Sequence, residues 1–227
     1  MSPATVSVPS RPKAFLVDLD GTLVDTVGDF VAVLAETLAD LGLPPVSREW
    51  VLQAVGRGSE QLIRSALVAV QGDPFLYEAA WARYQAHYLR LNGQASELFP
   101  GTVEGLDLLK AQGLPMACLT NKPARFARDL LAAKGLSGYF ERVFGGDDFE
   151  RKKPDPLPLL KTCEALGIMP PDAWMIGDSS NDAQAAHAAG CPVVLLRHGY
   201  NHGEPIDAVP ALAHLDRLDQ IERLLAP

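Results

Sequence analysis

Asp18 and Asp20 lie two residues apart just after the apolar run Ala14-Phe15-Leu16-Val17, so two carboxylates stand at the end of what reads as a buried strand. There the chain turns outward, and both side chains can converge on one ion or one phosphoryl group. Gly21 supplies the turn and Thr22 a hydroxyl. Thr120-Asn121 ends the apolar run from Pro115, and Gly177-Asp178-Ser179-Ser180-Asn181-Asp182 follows the run Ala173 to Ile176. Open parallel sheets bind ligands outside the carboxyl ends of their strands, so these three ends should line one crevice. A carboxylate is already ionised at neutral pH and can attack phosphorus without a base, giving an acyl phosphate that water later hydrolyses. A second carboxylate can protonate the leaving oxygen and then activate the water. Several carboxylates facing a phosphate repel it, which calls for a hard divalent cation on oxygen ligands, here Mg²⁺. A lysine adds neutralisation, and Lys152-Lys153-Pro154-Asp155-Pro156 supplies one ahead of a helix.

The elements that must position these groups follow from periodicity. Phe30, Leu34, Leu38 and Leu41 fall on one helical face, ended by Gly42, Pro44 and Pro45. A second helical stretch carries Leu62, Ile63, Ala66, Leu67 and Val70, and a third Leu76, Ala80, Tyr84, Tyr88 and Leu91. No strand pattern interrupts them, so residues 25–97 read as an all-helical insertion bounded by the turn Phe99-Pro100-Gly101. Beyond it helix and strand alternate: helix Val103–Gln112, strand Pro115–Thr120, helix Pro123–Lys134, a weak strand Phe140–Phe144, a helix opened by Asp155-Pro156 and reaching Leu166, strand Ala173–Ile176, helix Asn181–Ala189 and strand Pro192–Leu196. This alternation predicts an α/β fold: right-handed crossovers and a parallel sheet with helices on both faces.

With 227 residues, 48% of them hydrophobic, the chain can bury a sizeable core. Twenty Lys and Arg against 28 Asp and Glu give a net charge of -8, the wrong sign for a nucleic-acid or anionic-membrane surface. No apolar stretch reaches a membrane span, and residues 1–12 read as a disordered tail without a signal-peptide pattern. Cys118, Cys163 and Cys191 are widely spaced with no ligand pattern, which suits reduced core thiols in a cytoplasmic protein.

The residues from Asp18 to Thr22 match the DxDGT motif of the haloacid dehalogenase superfamily, and Thr120 the Ser or Thr that ends its second strand. Lys153 to Pro156 match its KPxP motif and Gly177 to Asp182 its GDSxxD motif, in the expected order over nearly the whole chain. The chain thus resembles a phosphatase of that superfamily. The resemblance implies a Rossmann-like core, residues 13–24 and 98–227, with strand order 3-2-1-4-5, and a helical cap over 25–97. It implies that Asp18 is the nucleophile, Asp20 the general acid and base, and that Asp18, the main-chain carbonyl of Asp20 and Asp178 hold the metal, with Asp182 acting through a metal-bound water. Thr120, Asn121 and Lys153 would hold phosphoryl oxygens, with Lys152 in reserve if the register shifts by one. Taken alone, Thr120 or Asn121 reads as a cap for the helix near Pro123 and Lys153 as a surface lysine, readings that the order of the motifs reverses, while Asp155 reads as a helix cap.

Retention of Asp20 implies an alcohol leaving group, unlike the dehalogenases, and a cap that closes over the site implies that specificity lies between Asp25 and Glu97. Gly56-Arg57-Gly58-Ser59 resembles the specificity loop of capped relatives, and Arg57 serves either as a fork for a substrate carboxylate or as an exposed loop arginine. His87 reads as a packed, hydrogen-bonded histidine. Residues 197–204 resemble the GYN-containing loop of bacterial phosphoglycolate phosphatases, or form a Gly-rich surface turn. Together these features favour 2-phosphoglycolate as substrate, a small phosphorylated metabolite, for a monomer or homodimer. A sugar phosphate or N-acetylmuramic acid 6-phosphate, a phosphoglucomutase-like reaction, and an inactive phosphate-binding regulatory module are the alternatives.

Overall fold

The computed structural model describes residues 11–225; the tail expected over 1–12 lies, apart from Arg11 and Pro12, outside the described residues. In chain order the strands are β1 (Ala14–Val17), β2 (Val24–Asp25), β3 (Glu97–Leu98), β4 (Met116–Leu119), β5 (Arg142–Phe144), β6 (Ala173–Gly177), β7 (Val193–Leu196) and β8 (Ala213–Leu215). Six of them form one sheet of order β5-β4-β1-β6-β7-β8, every pair parallel. Counted within this sheet alone the order is 3-2-1-4-5-6, the expected order with a sixth strand added at the edge. β8 escapes sequence reading because Ala-His-Leu is too short to show a period, and of its three side chains only Leu215 is buried.

Both faces of the sheet are covered, which is why its central strands are apolar throughout rather than alternating. Phe15 and Val17 of β1, Cys118 and Ile176 pack on one face against α5 (Thr102–Ala111) and α6 (Ala124–Ala133). Ala14, Leu16, Leu119 and Met175 face α7 (Leu157–Leu166) and α8 (Ser180–Ala189) on the other. Cys118, Cys163 and Cys191 are buried free thiols within these layers. A short α9 (Glu222–Leu225) ends the described chain.

Between the first and second sheet strands lie α1 (Val27–Ala39), α2 (Arg48–Ala54), α3 (Ser59–Ala69) and α4 (Tyr77–Leu91), gathered around their own cluster of Val33, Leu34, Ile63 and Tyr84. α2 carries no periodic signal in the sequence. Its apolar positions are too few for a period, though Ser47, whose Oγ accepts from the Trp50 amide at 3.1 Å, carries a capping signal. His87 lies between Glu36 and Asp40 of the α1 region, 2.9 Å from each.

The insertion expected to be all helical is joined to the sheet through a two-stranded antiparallel ribbon. Val24 pairs with Leu98 and Asp25 with Glu97, so the outgoing and returning chains run side by side. Asp29, fully buried in the first turn of α1, accepts from the amides of Gly93 and Ala95 at 2.7 Å each and ties the return segment to the departure. Gly28 permits this contact, because a Cβ there would lie 2.1 Å from the Ala95 carbonyl oxygen.

Candidate active site

Asp18 follows β1 directly, and the turn after it is closed by the amides of Leu23 and Val24, which both donate to Leu19 O at 3.0 and 3.1 Å. Gly21 adopts a φ of 86° there, and a Cβ on it would come within 2.4 Å of Asp178, so the glycine serves both conformation and space. Asp178 and Asp182 arrive from the β6–α8 junction. Their carboxylates and that of Asp18 each offer an oxygen within 4.8 Å of the others, all three residues buried.

The hydrogen bonds divide the three carboxylates. Both oxygens of Asp182 are engaged: Oδ2 accepts from the Ser179 amide at 3.1 Å and its hydroxyl at 2.7 Å, and Oδ1 from Lys153 at 2.6 Å. Asp182 thereby closes a capping box at the start of α8. Asp178 accepts from Thr22 Oγ1 at 2.5 Å and from the Tyr200 amide at 2.7 Å. Asp18 Oδ1 is buried, lies 3.0 Å from Lys153 Nζ, and has no directed hydrogen bond. A buried, under-satisfied hard oxygen beside a second carboxylate fits a divalent cation, with Asp182 left to orient its neighbours.

Lys153 is the buried lysine of the pair, its ammonium shared among Asp18, Asp182 and the Leu119 carbonyl at 2.8 Å. Lys152 instead pairs with Glu60 of α3 at 3.0 Å. Burial pushes Asp18 up to about 7; Lys153 pulls against this and Asp182 adds to it. Asp178 is raised well above the usual carboxylate range by burial and then by Asp182 and Asp18. Burial alone would lower Lys153, but Asp18 and Asp182 outweigh it and hold the ammonium charged. Three acids around one lysine leave the site short of positive charge, which is what a bound cation would supply.

Thr120 is buried at the end of β4, its Oγ1 accepting from the Lys122 amide at 3.2 Å. Asn121 is spent on backbone: Nδ2 donates to Lys153 O at 2.8 Å and Gly56 O at 3.0 Å, and Oδ1 accepts from the Lys153 amide at 3.0 Å. Its side chain therefore fixes Lys153 and grips the loop between α2 and α3. Gly145 and Gly146 follow β5 closely enough that a Cβ on Gly146 would meet Asn121 O at 2.3 Å. Asp155 accepts from the Leu157 amide at 2.9 Å, at the start of α7, in keeping with a cap.

Asp18, Asp20, Thr120, Asn121, Lys153, Asp178 and Asp182 line one cavity of about 30 Å³, roofed by Phe30, Val55, Gly56, Ser59 and Leu62 of the helical unit. That is room for a water or two, less than any phosphate ester needs. Arg57 is not among the residues brought there. It is exposed and lines a shallow outer depression with Glu60, Arg64, Arg151 and Lys152.

The model of the haloacid dehalogenase-like hydrolases matches residues 15–196. A phosphoglycolate phosphatase of Thiobacillus denitrificans is 44% identical over 216 residues, covering 91% of this chain and 95% of that protein. One of Cupriavidus necator is 42% identical, covering 99% and 96%. The chain belongs to the haloacid dehalogenase-like hydrolase family. A crystal structure described as a predicted phosphoglycolate phosphatase from Haemophilus somnus superposes with a TM-score of 0.90 at 31% identity, covering 96% of this chain and 99% of that one.

Within this haloacid dehalogenase-like frame, sequence reasoning missed Lys122 and left the GYN segment open between a family-like loop and a surface turn. Lys122, one residue past Asn121, is buried and donates to Asp20 Oδ1 at 2.8 Å and to the Tyr88 hydroxyl. Its only sequence signal was adjacency to Thr120-Asn121, since Asp20 and Tyr88 are distant in the chain. Tyr200, from the GYN segment, is buried rather than part of a surface turn: its phenol accepts from the Thr26 amide at 2.9 Å and donates to Asp25 Oδ1. Asn201 beside it accepts from the Ser180 amide at 2.7 Å, at the start of α8.

Proposed function

We propose that the chain is a phosphomonoesterase that carries the phosphoryl group on Asp18, with 2-phosphoglycolate as substrate and Mg²⁺ as the ion. The observation that carries this reading is the under-satisfied Oδ1 of buried Asp18, set among Asp178, Asp182 and Lys153 in the cavity that Asp20 also lines. Asp18 attacks phosphorus, the bond from phosphorus to the ester oxygen breaks, and Asp20 gives its proton to that oxygen as the alcohol leaves. Asp20 then takes a proton from water, whose oxygen attacks phosphorus and frees both inorganic phosphate and Asp18. Lys153 and Thr120 hold phosphoryl oxygens, and Asn121 acts by fixing Lys153. Bound Mg²⁺, on Asp18, Asp178 and the main-chain carbonyl of Asp20, supplies the positive charge that lets phosphate approach these acids.

The choice of 2-phosphoglycolate rests on the relatives from Thiobacillus denitrificans and Cupriavidus necator that carry that activity in their names. Residues 25–97 act in this reading as the cap that opens to admit substrate, and the enzyme works in the cytoplasm as a monomer or homodimer. Phosphate release across a panel of small monoesters, with and without EDTA, tests the reading. The highest kcat/KM is expected for 2-phosphoglycolate, restored by Mg²⁺ after chelation. Turnover untouched by EDTA would sink the metal role, and a better substrate without a carboxylate would sink the assignment.

A further inference from the structure

The cations lining the cavity decide what it can hold besides a phosphoryl group, and there are two of them, Lys153 and Lys122. Lys153 is committed to Asp18 and Asp182. The helical roof contributes Phe30, Val55, Gly56, Gly58, Ser59 and Leu62 to the lining and no charged side chain, while Arg57 lies outside. A second anionic group on a substrate therefore has Lys122 as its available partner.

We propose that Lys122 binds the carboxylate of the leaving group and so sets the preference for a carboxylate-bearing phosphoester. The inference rests on the reading of 2-phosphoglycolate as substrate and names the residue that would recognise it. The position of the ammonium fits. It lies 2.8 Å from Asp20, whose carboxyl hands a proton to the ester oxygen, and in 2-phosphoglycolate the carboxylate is separated from that oxygen by a single carbon. A group that touches Asp20 is therefore within reach of the carboxylate when Asp20 is within reach of the ester oxygen.

The ammonium is also stripped of water. The Lys122 side chain is 1% exposed, and its nitrogen stands 4.8 Å from the ring centroids of both Phe30 and Tyr88. Of its three donors, two are used among the described residues, on Asp20 and on the Tyr88 hydroxyl. One remains for a ligand. Phe30 belongs to α1 and Tyr88 to α4, so the dry environment that strengthens this charge is complete only with the helical unit seated on the core. Recognition of the carboxylate and closure over the phosphoryl site would then reinforce each other.

The test compares 2-phosphoglycolate with its carboxamide, 2-phosphoglycolamide, which keeps the shape and removes the charge. Wild type is expected to favour the carboxylate, and Lys122→Met to lower the ratio of the two kcat/KM values by about 30- to 100-fold, the loss expected for a charged hydrogen bond in a dry site. Lys122→Gln, which keeps donors for Asp20 and Tyr88, should lose the same ratio, whereas Lys122→Arg should retain most of it. If Lys122→Met and Lys122→Gln slow the two substrates equally, Lys122 serves only to support Asp20 and the proposal falls while the substrate reading stands. If wild type itself shows no preference for the carboxylate, both fall.

Discussion

At the residue scale the site is organised by what each carboxylate already touches. Asp182 has no oxygen to spare, Asp178 is held on both sides by Thr22 and Tyr200, and Asp18 keeps an oxygen without a directed partner. Asp18→Asn is expected to lower turnover by at least about 10³-fold with the fold retained, because the amide keeps the shape and cannot attack phosphorus. Phosphate release together with a circular dichroism melt checks both halves, and substantial residual turnover would move the nucleophile elsewhere. These acids were legible in the chain because each motif is contiguous and ends an apolar run. Lys122 was not, since what distinguishes it from a surface lysine is Asp20, Phe30 and Tyr88, which only folding brings around it.

Elements fix how the helical unit meets the core, and Tyr200 joins them at one point. Its amide holds Asp178, while its phenol bridges Asp25 and the Thr26 amide at the start of the helical unit. Tyr200→Phe leaves the amide contact and removes both phenol bonds, at an expected cost of about 1–2 kcal/mol. Faster hydrogen exchange is expected at the Thr26 amide, with that at α8 unchanged; an unaltered Thr26 amide would show the phenol bonds to be dispensable. The long elements, α1, α3, α4, α6 and α7 among them, follow the hydrophobic pattern of the sequence closely. What that pattern could not reveal were two-residue strands such as β2 and β3, whose pairing depends on partners more than seventy positions away, Val24 with Leu98 and Asp25 with Glu97.

For the molecule as a whole, the crowding of acids predicts a stability that depends on pH and, with the ion proposed above, on metal. With its carboxyl raised to about 7 by burial, folded Asp18 keeps a proton that the unfolded chain releases near 3.8. Its contribution to stability is therefore full below about pH 4 and is lost as pH rises through about 7, on the order of 4 kcal/mol in all. Asp178 acts in the same direction. In EDTA, the melting temperature of wild type relative to Asp18→Asn should fall between pH 5 and 8, and Mg²⁺, proposed to bind the ionised acids, should stabilise wild type more as pH rises. A metal increment that stays flat with pH would contradict this. The ribbon of β2 and β3 bears on the history of such a molecule. By setting residues 25 and 97 side by side it makes the intervening stretch a cassette with adjoining ends. In the proposed reading, exchanging that stretch for another of similar closure would change the ester hydrolysed without touching Asp18.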